Sequence, residues 1–130
     1  MIPENFIEQW RSQVEWQTLP MVEQDLVISR ALVDLYNEPK LQDNLIFRGG
    51  TALNKLYLKP SSRYSEDIDF VQLKTEPIGE TIDTIRAVLK QWLDEPKRKA
   101  TERSVKLLYQ YCLLQRTGIL KKPLSLCKLI

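Results

Sequence analysis

Phe47-Arg48-Gly49-Gly50-Thr51-Ala52-Leu53-Asn54-Lys55, followed by Ser65-Glu66-Asp67-Ile68-Asp69-Phe70, is the part of this sequence that decides the fold. Leu45, Ile46 and Phe47 run into a glycine pair, and Thr51 opens an Ala/Leu/Asn/Lys run, so the spacing predicts strand, tight turn, helix. Such a turn can seat a phosphate. Glycines let backbone N–H groups approach an anion, Thr51 is placed to cap the helix, and a helix N-terminus carries partial positive charge. In the second piece, Asp67 and Asp69 alternate with Ile68 and Phe70. On a strand this sends both carboxylates to one face and both apolar residues to the other. Two neighbouring carboxylates suit Mg²⁺, which takes one or two such groups plus substrate phosphates.

Each half alone has an ordinary explanation. Gly-Gly-Thr serves turns in general, and Asp-x-Asp commonly charges a strand edge against aggregation. Spacing excludes three other readings. A Walker loop needs glycine directly before its lysine, whereas Asn54 precedes Lys55. An EF-hand starting at Asp67 needs glycine and glutamate where the chain has Gln72 and Ile78. A kinase glycine loop repeats glycine around a hairpin, and this pair stands alone before a helix.

Together, in this order, Phe47–Lys55 and Arg63–Phe70 resemble the glycine-pair and paired-aspartate motifs of the nucleotidyltransferase superfamily. More narrowly, the chain from about Ile2 to Leu114 resembles the AbiEii/AbiGii toxin family, nucleotidyltransferases of phage abortive infection, antiviral defence and toxin–antitoxin systems. The resemblance implies transfer of a nucleotide from an NTP to an acceptor, with release of pyrophosphate, in the presence of Mg²⁺ or Mn²⁺. Some relatives use RNA as the acceptor, and a cognate antitoxin is the partner it implies. Asp67 and Asp69 are then the expected catalytic metal ligands. Gly49 and Gly50 would contact the triphosphate through backbone N–H groups, Thr51 or Ser65 would add a hydroxyl, and Arg48, Lys55 or Arg63 would supply positive charge. Glu66 ranks below the aspartates because an ideal strand sends it to the opposite face.

Composition bounds what else the chain can be. It has 130 residues, 43% of them hydrophobic and 28% charged, enough for one domain with a core and without signs of disorder. No apolar run approaches membrane-spanning length, and Met1-Ile2-Pro3-Glu4-Asn5 carries acid where a signal peptide needs base, so a cytoplasmic protein away from membranes is expected. Cys112 and Cys127 form no C-x-x-C and read as plain thiols. There is no histidine, which removes Ser-His and Cys-His pairs, His-ligated zinc and imidazole acid–base catalysis. Any chemistry must run on carboxylates, metal, lysine or backbone.

Around the motif the pattern predicts an α+β, mixed α/β domain: a small mixed sheet flanked by helices. Residues 1–44 read as N-terminal helices, one after Pro3 and one over Met21–Tyr36, the latter with Glu23 and Gln24 on its polar side. Residues 45–114 form the motif-bearing core: strand Leu45–Phe47, helix Thr51–Leu58, strand Asp67–Leu73, a long helix from Ile78 to about Asp94, and a strand over 104–114. Lys97-Arg98-Lys99 reads as a solvated turn, or as a basic patch for a phosphate-rich partner.

Residues 115–130 stand apart as a basic tail. Residues 1–102 hold 13 Lys/Arg and 17 Asp/Glu, whereas residues 103–130 hold Arg103, Lys106, Arg116, Lys121, Lys122 and Lys128 and no acid. Superfamily members similar to this chain place a third carboxylate on a later strand and, in AbiEii-like members, add a downstream lysine motif. No Asp or Glu follows Glu102, so neither the 104–114 strand nor the 124–130 tail can supply that carboxylate. The expectation is a single nucleotidyltransferase-like domain, 1–130, incomplete at its C-terminus. Its sheet would have an unpaired edge beside the 105–113 strand, and its tail, from about Arg116, would be unrelated sequence; after Gly118, Leu124–Ile130 reads as one more short strand. Two alternatives remain open: an inactive remnant that retains nucleotide binding, and a nucleic-acid-binding or antitoxin-like module built on Lys97–Lys99, Lys121 and Lys122.

Overall fold

The computed structural model describes residues 2–58, 67–102, 104–109 and 124–129. Helix α1 (Glu4–Trp10) starts after Pro3, whose fixed φ suits a helix entrance, and α2 (Leu19–Tyr36) carries a second proline in its first turn. A one-turn helix α3 (Pro39–Gln42) leads into strand β1 (Leu45–Arg48). Then come α4 (Gly49–Ala52), a wider π-type turn over Leu53–Tyr57, and β2 (Ile68–Gln72). Helix α5 (Ile78–Leu89) is followed by β3 (Lys97–Ala100), β4 (Val105–Tyr109) and β5 (Leu124–Leu129).

The five strands form one mixed sheet in the order β1-β2-β5-β4-β3. Only the β2–β5 pair is parallel; β1–β2, β5–β4 and β4–β3 are antiparallel. This is the expected α+β architecture of a small mixed sheet flanked by helices. One face is apolar: Ile68 and Phe70 of β2 and Val105, Leu107 and Tyr109 of β4 share a buried core with Val22, Ile28, Ala31 and Leu35 of α2 and Ile82, Ile85 and Leu89 of α5. At 25 cal/mol per Å², each such side chain contributes about 1.5–3 kcal/mol of burial. Tyr36 fastens α2 to the sheet, its hydroxyl donating to the Leu45 carbonyl at 3.1 Å and its ring edge-on to Phe70 at 6.1 Å. Burial raises the Tyr36 pKa.

Several expectations change. The short strand expected over 124–130 is present as β5, but it lies at the centre of the sheet, between β2 and β4, where unrelated tail sequence would not be expected. The unpaired edge expected beside the 105–113 strand is therefore absent there, and the described edges are β1 and β3. Lys97–Lys99 is an edge strand rather than a turn, because its extended backbone completes a ladder with β4. The motif helix begins at Gly49 and widens after Ala52, where the Leu58 N–H donates to the Leu53 carbonyl at 3.1 Å. Helix α5 stops at Leu89, yet Trp92 and Leu93 stay buried because their N–H groups fold back onto the Leu89 carbonyl. Glu23 and Gln24, read as polar positions between the apolar ones of α2, are buried. Residues 110–114 of the expected strand lie outside the described residues.

Candidate active site

The site is built where β1 meets β2. The two strands are antiparallel in a register that sets Arg48 opposite Asp69 and Phe47 opposite Phe70. Directly opposed residues share a face of the sheet, and Ile68 and Phe70 occupy the core face, so Arg48 and Asp69 belong to the other. That second face is the chemical one. Asp67, the residue before β2, continues the alternation and is half-buried, as is Asp69.

Gly49 turns the chain from β1 into α4 with φ of +82°, a conformation that L side chains rarely adopt. A Cβ built there would lie 2.8 Å from Oδ2 of Asp69 and 3.5 Å from its Cβ. The carboxylate thus rests against the bare Cα of the first glycine. Among the described residues, the space around Gly50 is open, with no atom outside its own helix turn within 4 Å of where a Cβ would stand. No side chain caps α4. The turn consequently presents exposed backbone beside a carboxylate and free space.

Three anchors hold this turn. The Thr51 hydroxyl donates to the Asp67 carbonyl oxygen at 2.6 Å, tying α4 to the start of β2. The Asn54 side-chain amide donates to the Gly50 carbonyl at 2.8 Å. Lys55 reaches α2, where its Nζ lies 3.0 Å from Oδ1 of Asp25 and 2.9 Å from Oγ of Ser29. Asp25 also accepts from the Trp10 indole N–H at 2.7 Å, so α1, α2 and the motif helix meet on one carboxylate.

These contacts correct two expected roles. Thr51 was expected to cap its helix or offer a hydroxyl to phosphate, but it lies inside the helix and gives its only hydroxyl hydrogen to Asp67. Lys55 was expected to bring positive charge to the triphosphate; it is half-buried and paired with Asp25 instead, its side chain 19% exposed and that of Asp25 9%. Ser65 and Arg63 lie outside the described residues. Gly49, Gly50, Arg48 and Asp69 are brought together, and Asp67 is held beside them through its backbone. Asp25 escaped sequence reading. Its only signal is an acid within the unbroken polar triplet Glu23-Gln24-Asp25 on a helix whose neighbours are apolar.

Asp67 and Asp69 fit a divalent ion of the magnesium type. They are oxygen donors on one side of the strand, and the Asp69 oxygen lies against Gly49, the residue before Gly50, so that phosphates held at the glycine turn can complete the coordination. Among the described residues, no group of three His, Cys, Asp or Glu side chains is placed to hold a metal by itself. Also among them, no helix is long and apolar enough to cross a membrane.

No curated protein matches the chain. Among solved structures it is similar, at 16% identity, to the nucleotidyltransferase toxin MenT4 from Mycobacterium tuberculosis H37Rv, with a TM-score of 0.49 over 99% of this chain and 44% of that one. It is also similar to a cytoplasmic RNA terminal U-transferase (16% identity, TM-score 0.42, 97% of this chain and 34% of that one). A third is the Cid1 poly(U) polymerase in its MgGTP-bound form (16% identity, TM-score 0.44, 97% and 36%). The chain spans less than half the length of each. A family profile matches residues 30–112, which include the glycine turn, both aspartates and β4: the chain belongs to the nucleotidyl transferase AbiEii toxin family of Type IV toxin–antitoxin systems.

Proposed function

We propose that this chain carries the nucleotide-handling site of a metal-dependent nucleotidyltransferase toxin. The observation that supports this reading is the contact between the Asp69 carboxylate and the Cα of Gly49, with open space before Gly50. A side chain at Gly49 would fill that contact, so the sequence keeps a carboxylate and exposed backbone donors side by side. Phosphoryl chemistry needs such an arrangement, because catalysis comes from positioning and from neutralising charge on phosphate oxygens.

In this reading Asp67 and Asp69 hold Mg²⁺ or Mn²⁺, which supplies charge neutralisation at the phosphates. The backbone N–H groups of Gly49 and Gly50 orient the triphosphate, and Arg48, exposed opposite Asp69, adds positive charge at the rim. Thr51 and Lys55 position the turn and do not touch the substrate. The reaction joins the α-phosphorus of an NTP to an acceptor hydroxyl and releases pyrophosphate, with RNA as the acceptor and an antitoxin as the controlling partner.

Calorimetric titration with MgATP, MgGTP, MgCTP and MgUTP tests the site. Binding of at least one is expected, with loss in Asp69→Asn and in Asp67→Ala. Unchanged binding in both variants would move the function elsewhere. Incorporation of labelled nucleotide into total RNA, with an Asp67→Ala/Asp69→Ala double variant as the blank, tests the reaction itself.

A further inference from the structure

The face of the sheet that carries Asp69 holds a row of cations. Following the registers strand by strand, Arg48 of β1 stands opposite Asp69 of β2, Asp69 opposite Lys128 of β5, Lys128 opposite Lys106 of β4, and Lys106 opposite Lys99 of β3. One rung across all five strands therefore reads Arg-Asp-Lys-Lys-Lys. On β4 the residues flanking Lys106, Val105 and Leu107, are buried in the core, which puts the half-buried Lys106 on the face away from the core, and exposed Lys99 shares that face through its pairing. Among the described residues neither lysine has an ion-pair partner.

Edge protection does not account for this row. Lysines on β3 would discourage strand addition, but β4 and β5 are interior strands with no free edge to defend. Like charges directly opposite one another destabilise a sheet, so stacking lysines on three adjacent strands works against folding. The arrangement makes sense if a polyanion neutralises it. With strands about 4.8 Å apart, the row carries positive charge to roughly 10 Å from Asp69 at Lys106 and roughly 14 Å at Lys99. That reach exceeds a single triphosphate seated at Gly49 and Asp69.

We propose that Lys106 and Lys99, continuing the rung on which Lys128 has its register position, form a track for the phosphodiester backbone of a single-stranded nucleic acid whose end is delivered to Asp69. The row has a single cation on each of β5 and β4 and widens only at the edge, where Lys97 stands beside Lys99 on the same side of β3, and this narrow line suits one strand rather than the two backbones of a duplex. The proposal rests on the nucleotidyltransferase reading for the direction of the track, though the binding it requires is independent of metal and nucleotide.

The test uses the full chain and a 5′-fluorescein-labelled 20-nucleotide oligouridylate, read by anisotropy across a salt series without magnesium or NTP. Each phosphate neutralised on a single strand contributes about 0.7 to the slope of log affinity against log salt, so Lys99→Gln/Lys106→Gln should lower that slope by about 1.4. The same variant should weaken binding several-fold at low salt while melting no lower than the parent. Arg98→Gln removes the same charge from the opposite side of β3, since Arg98 pairs with Leu107, and should have less than half the effect of Lys99→Gln. Asp69→Asn should lose Mg-nucleotide but keep the oligouridylate. An unchanged slope in the lysine variants, or equal effects of Lys99→Gln and Arg98→Gln, would overturn the track while leaving the nucleotide site intact. Competition by a 20-residue polyglutamate as strong as by unlabelled RNA would also overturn it, assigning the row to an acidic polypeptide.

Discussion

Oδ2 of Asp69 lies 2.8 Å from the point where a Cβ on Gly49 would be, and Gly49 itself sits at φ +82°. The two glycines of the motif therefore do different work. At Gly49 an alanine meets both a left-handed backbone, costing about 1–2 kcal/mol, and a carboxylate that must move. At Gly50 it meets open space inside a helix, where alanine outranks glycine by about 0.5–1 kcal/mol. Thermal melting should show Gly49→Ala destabilised and Gly50→Ala unchanged or slightly stabilised. Equal losses in both would contradict the geometry.

The carboxylates make a second prediction, read by stability rather than turnover. A ligand that binds only the folded state at about 100 times its Kd adds about 2.7 kcal/mol. An NTP with Mg²⁺ should therefore raise the melting temperature by several degrees, and EDTA should remove the shift. Asp69→Asn should melt normally without ligand but show no shift with it. A full shift in that variant would place the ligand away from Asp69.

Lys55 and Asp25 separate a structural from a phosphate-binding role. Removing one partner of a buried pair leaves the other charge uncompensated, at about 3–5 kcal/mol. Because Lys55 retains some exposure, Lys55→Met should fall near the lower end, about 3 kcal/mol. Lys55→Met/Asp25→Leu should recover much of it, since replacing both charges removes the orphan. If Lys55 contacted phosphate instead, the single variant would keep its stability and lose nucleotide affinity.

Much of this was legible in the sequence because it is local. Alternation of Asp67-Ile68-Asp69-Phe70 fixes which side each residue takes, and two glycines between apolar and helical runs fix a turn. The pairing of Lys55 with Asp25, 30 residues apart, was not legible. A lysine on a short helix looks solvent-facing until the helix packed against it is known. Thr51 was misread for a related reason. The motif helix starts two residues earlier than propensity suggests, since Gly49 and Gly50 enter it, and the expected cap lies in its first turn. The tail misled through its charge: four cations and no acid looked foreign, but its alternation of Leu124, Leu126 and Lys128 with Ser125, Cys127 and Leu129 belongs to a central strand whose partners are far away in sequence.

That central strand carries the last prediction. Strand β5 joins β2 on one side and β4 on the other, and β2 and β4 do not pair with each other. Removing residues 124–130 would split the sheet into two antiparallel pairs, β1–β2 and β3–β4, each exposing a new edge next to core residues such as Ile68, Phe70, Leu107 and Tyr109. Two-stranded ribbons are marginal in water, and unpaired interior edges template aggregation. The shortened chain should lose its cooperative melt and bind the dye ANS, whereas a tail that merely hung from a finished sheet could be deleted without either effect. A milder variant keeps the test interpretable. Cys127→Pro removes the single backbone N–H that this residue can give to a flanking strand, between its register partners Ile68 of β2 and Leu107 of β4, and should cost about 3 kcal/mol or more if the strand is interior. Wild-type stability in Cys127→Pro would mean that residues 124–129 do not occupy the middle of the sheet, and the basic row through Lys128 would fall with it.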